Sequence, residues 1–183
     1  MNRRQLLTAT GTSLGILLMN TQHSLTRLQY LANETPEPES KPEFSHRRQT
    51  SGQSLYLGAL FTWLELLEDT IQSLVPAIEA VQDDANSDSS KAMVLMPLGV
   101  WTHLAADTLK ITAPATFETV HEHTVDAFSH LGSAAEIIST GVMAGSATAI
   151  SLGTEHINLA TEHVGLLVAE LPFERPKREE IIG

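Results

Sequence analysis

The sequence predicts an all-α protein built from antiparallel helical hairpins, arranged either as a four-helix-type bundle or as a short α-solenoid. Three observations carry this. Apolar residues recur at three- and four-residue steps through most of the chain from Ser54 onward. No segment alternates apolar and polar residues over a useful strand length. Pro76, Pro114, Gly141, Gly145 and Gly153 punctuate the periodic stretches at roughly helical lengths. The chain has 183 residues, 42% apolar and 18% charged, enough for one real hydrophobic core and too apolar for wholesale disorder.

The first stretch, residues 1–33, is basic and apolar. Arg3 and Arg4 stand before a run without Lys, Arg, Asp or Glu that lasts until Arg27 and contains Leu14, Ile16, Leu17, Leu18 and Met19. A paired arginine ahead of a Gly/Thr-diluted apolar segment resembles a twin-arginine export signal. That resemblance implies an exported or membrane-associated protein, with Arg3 and Arg4 as the export signal. The alternative is a structural amphipathic helix in a cytoplasmic protein. Leu14, Leu17, Leu18, Thr21, Leu25, Leu28 and Leu31 keep helical spacing well past the apolar run.

Residues 34–53 carry Pro36, Pro38 and Pro42 among charged and small polar residues, which predicts a disordered linker. The main all-α domain then spans residues 54–172. Its first helix carries Leu57, Leu60, Leu64, Leu67, Ile71 and Leu74 on one face. Pro76 is expected to kink or restart that helix, and residues 83–90 read as a polar loop. A second helix is expected from about Pro97 to Ile111, and a third from about Ala115 to Thr140. Thr154, after Gly153, reads as the N-cap of the last helix, which Pro172 ends. Residues 131–153 hold a single charge, Glu136, among many small residues, a composition suited to close helix packing through Ala and Gly. Residues 173–183 form a charged tail.

Charge and composition exclude several functions. The net charge of −11 is concentrated in residues 54–172, which hold 15 acids against Lys91 and Lys110. Such a body offers no clustered cations to release phosphate counterions, so no nucleic-acid partner is expected. The absence of Cys removes disulfides, thiolate metal sites, iron–sulfur clusters and Cys nucleophiles. Neither a phosphate-binding Gly-rich loop nor a nucleophile elbow is present, so no catalytic residue is assigned and the protein reads as non-enzymatic. Trp63 and Trp101 fall inside apolar helical stretches and read as core.

Glu122, His123, Ala127, His130 and Gly132 recur as Glu155, His156, Ala160, His163 and Gly165, at an offset of 33. A period of that size belongs to helical-hairpin repeats. Residues 125–158 resemble in part a tetratricopeptide repeat: Phe128, Leu131 and Gly132 match its first helix, and Ala144 and Ser151 the small positions of its second. Ala135, Thr148 and His156 depart from the pattern. This TPR-like resemblance implies a surface that binds a protein or peptide partner, with no cofactor, and that is the leading expectation. The same residues also fit a mirror centred on Met143, in which an antiparallel hairpin sets His123 against His163 and His130 against His156. Each helix would then present two histidines two turns apart on one face, able to bind a metal ion or a b-type haem. The alternative function is therefore a small extracytoplasmic His-rich metal- or haem-binding bundle, and a third is the cytoplasmic sensory part of a regulator. Against a metal, neither His pair has an obvious carboxylate beside it, because Glu122, Glu155 and Glu162 each point about 100° away from the histidine that follows. The Glu118 to His121 spacing suits a di-iron bundle, but its only counterpart, Glu43 to His46, lies in the linker.

Overall fold

In the computed structural model the described residues are 3–33, 51–83 and 87–171. They form five helices, α1 (Arg3–Asn33), α2 (Ser51–Asp83), α3 (Asp88–Thr108), α4 (Glu118–Ala144) and α5 (Ala147–Glu170), with one 3-10 turn, Ala115–Phe117, before α4. No strand occurs among the described residues. The all-α prediction holds. Most of the linker and the whole charged tail lie outside the described residues, although α2 already begins at Ser51.

Each helix packs on two others, and α1 closes the ring by packing on both α2 and α5. The core thus takes in Leu14, Leu17, Leu25 and Leu28 of α1 together with the body from Tyr56 onward. Directions follow from paired residues. Tyr56 meets Phe117, and Trp63 meets Phe128, so α2 and α4 run the same way. Thr10 bonds Thr154, Asn20 donates to the Thr161 carbonyl and Arg27 to that of Val168, so α1 and α5 are parallel. An up-and-down ring with an odd number of helices must contain one parallel pair, and this is it.

That pair is held differently from the rest. The α1 face is rich in hydroxyls: Thr10, Ser13, Thr21 and Ser24 are all buried. Thr21 and Ser24 satisfy themselves on the carbonyls of Leu17 and Asn20, both at 2.9 Å, so their burial leaves no orphan hydroxyl. The Arg27 guanidinium, placed on a carbonyl of the last turn of α5, also offsets the negative end of that helix.

Several boundaries differ from the sequence expectation. α3 starts at Asp88, inside the stretch read as a loop, because the Ser87 hydroxyl accepts from the Ser90 N–H at 3.2 Å and caps it. Pro97 does not start α3; it lies within it, buried. Pro76 likewise lies inside α2 on an exposed position, with helix on both sides. The N-cap of α5 is Ser146, which accepts from the Ala149 N–H at 3.3 Å, rather than Thr154. Thr154 sits inside α5 and donates to the Ile150 carbonyl. Trp63 and Trp101 are core residues, and the Trp101 indole N–H is satisfied by the Thr70 hydroxyl at 2.8 Å. Among the described residues, no helix is long and apolar enough to cross a membrane.

Candidate metal centre

The site is made by the α4–α5 hairpin. Gly145 adopts φ 67°, the left-handed conformation that lets a helix end and the chain reverse within two residues. Beyond the turn the helices meet through small side chains. At Gly153 a Cβ would lie 2.3 Å from Ile138 Cγ1, so only glycine permits this approach. A small-residue seam with a two-residue turn fixes the register, and the register decides which histidines meet.

The mirror arrangement is the one observed. His123 and His163 have ring centroids 5.7 Å apart, and His130 and His156 5.4 Å. His130 also lies 5.7 Å from His163, so the four rings form one zigzag across the groove. All four are half-buried, at the edge of the core stripe. Their neighbour Asp126 was missed by sequence reasoning, which looked for carboxylates only next to each His. Asp126 follows His123 by three residues, which puts both on one face of α4. Its Oδ2 lies 3.7 Å from His163 Nδ1, too long for a hydrogen bond.

His123 Nδ1 and His163 Nδ1 are buried and have no hydrogen-bond partner among the described residues. Orphaned buried nitrogens call for an explanation, because each forfeits its hydration for nothing. The ligand atoms of His123, Asp126 and His163 all lie within 4.8 Å of one another. Tetrahedral ligands about 2.0–2.1 Å from an ion stand about 3.4 Å apart, so small side-chain rotations complete such a shell. Two imidazoles and a carboxylate suit Zn2+, Cu2+, Ni2+ or Co2+ better than Mg2+ or Ca2+.

The second rung differs in its bonding. His130 Nδ1 and His156 Nδ1 are 3.2 Å apart, a hydrogen bond that requires one nitrogen to hold a proton and the other a lone pair. Burial, then the neighbouring His156 and His163, lower the His130 pKa, against the opposing pull of Asp126.

The remaining candidates are dispersed. His121 faces Tyr56, whose hydroxyl is 3.4 Å from its Nδ1, and burial pushes the Tyr56 phenol up to about 12. Glu118 and His121 do not join a cluster of three or more potential ligands among the described residues. His23 and His103 are exposed on α1 and α3, and His46 lies outside the described residues. Arg3 and Arg4 open α1, but their side chains are outside the described residues. No protein-family model, curated protein or solved structure matches the chain.

Proposed function

We propose that this protein is a helical bundle that reversibly binds a divalent transition-metal ion between α4 and α5, with His123, Asp126 and His163 as ligands. The observation that carries this reading is the pair of buried, unpartnered Nδ1 atoms on His123 and His163, two residues whose ligand atoms gather within 4.8 Å of each other and of an Asp126 carboxylate oxygen. Three protein ligands leave a coordination position for water, and Asp126 is 57% exposed, so the ion exchanges with solvent instead of being sealed in. Such a site suits carrying or sensing an ion, and binding staples the hairpin.

The test is thermal unfolding of the full metal-free chain with and without Zn2+. An ion at a hundredfold excess over its dissociation constant adds about 2.7 kcal/mol, which raises Tm by roughly 5–10 °C for a chain of this size. His163→Ala should remove most of the rise, and the rise should weaken as the pH falls, because only neutral imidazole binds the ion. An unchanged Tm at saturating Zn2+ would sink the proposal.

The partner-binding reading keeps one observation of its own. Met93 and Met96 on α3 are exposed beside a shallow, mostly apolar groove of about 400 Å³ that Asp69, Thr70 and Ser73 of α2 close on the other side. Adaptable methionines at a groove are characteristic of peptide-binding surfaces.

A further inference from the structure

The histidine groove contains five potential ligands, more than one tetrahedral ion can use. Four imidazoles bound to one tetrahedral ion would place every pair of ring centres about 5 Å apart, those at the two ends of the row included. Here the rings follow one another in a line, His123, His163, His130, His156, with successive centroids 5.7, 5.7 and 5.4 Å apart. The two histidines of each helix are seven residues apart, about 10.5 Å along the axis at the backbone, and the side chains lean together so that His163 of one rung and His130 of the other come within 5.7 Å. The His130 and His156 Nδ1 atoms are already 3.2 Å apart, close to the about 3.3 Å bite of two imidazoles on a single zinc ion.

Resting on the assignment of His123, Asp126 and His163 as one site, we infer that the groove holds two ions in a row, the second bound by His130 and His156 through their Nδ1 atoms. Binding there needs no net proton release. The neutral imidazole that holds its proton on Nδ1 shifts it to Nε2, and both Nδ1 lone pairs then face the ion. Asp126 lies one turn from His130 as well as from His123, so its negative charge stands between the two positions and offsets the repulsion of two dications. The second position has two protein ligands and fills its shell with water. It is therefore the weaker of the two.

Equilibrium dialysis of the full metal-free chain against Zn2+ tests this, with circular dichroism and apo melting temperature confirming that each variant folds. The wild type should take up two ions in two steps. His156→Ala should take up one, its tight step unchanged within about threefold, and His156→Gln should behave likewise. His123→Ala should lose the tight step by at least about tenfold and keep the weak one. A single ion in the wild type, indifferent to His156→Ala, overturns the second position and leaves the first standing. A single ion lost by either variant means one shared site and also overturns the proposal. No uptake at all overturns the first assignment together with the second.

Discussion

His130 is the residue where burial and charge act in the same direction. Its pKa is lowered by partial burial first, and then by His156 and His163, against the opposing pull of Asp126. The unfolded chain, with an imidazole near the ordinary value of about 6.5, therefore binds this proton more readily than the folded one. Stability from this group is complete above about pH 6.5 and is lost as the pH falls through the lower folded value. Metal-free protein should accordingly melt at lower temperature as the pH is taken from about 7.5 to 5, and His130→Gln should flatten part of that decline. Parallel declines in both proteins would mean that the cluster does not oppose protonation. The sequence made the four histidines visible, and the choice between repeat and mirror was what it left open. Asp126 was legible in principle, three residues after His123, but a search limited to the immediate neighbours of each His passes over it.

At the scale of helices, periodicity was a good guide and punctuation a poor one. Leu64, Ile71, Phe128, Leu131 and Val164, read as core from spacing, are all buried, while Glu65, Asp69, Glu155 and Glu162 are exposed. Pro97, Gly141 and Gly153 looked like boundaries, yet each lies inside a helix. The glycines serve the contact between α4 and α5 rather than a turn, and periodicity cannot separate those two uses. Replacing Gly153 with Ala forces Ile138 to move from a 2.3 Å overlap. Overpacking of about 1–3 kcal/mol outweighs the about 1 kcal/mol that Ala gains over Gly in a helix. Gly153→Ala should therefore destabilise the protein by about 1 kcal/mol in denaturant unfolding and weaken Zn2+ binding, because the facing histidines move apart. A more stable variant with unaltered binding would show that the seam does not set the site.

For the whole molecule, the ring of five helices explains why residues 3–33 cannot be judged by apolar content alone. α1 buries hydroxyls as well as leucines, and its parallel contact with α5 is fastened in part by hydrogen bonds from Thr10, Asn20 and Arg27. Hydropathy patterning sees only half of such an interface. The acidic body, with 15 acids against two lysines in residues 54–172, adds an overall field that draws dications toward the groove. Anomalous diffraction from crystals grown with Zn2+ locates any divalent ion held in the α4–α5 groove. A zinc peak should lie about 2.0–2.2 Å from nitrogen atoms of His123 and His163 and from an oxygen of Asp126. Zinc found only at surface or lattice positions, with the His123 and His163 nitrogens still unpartnered, would contradict binding there.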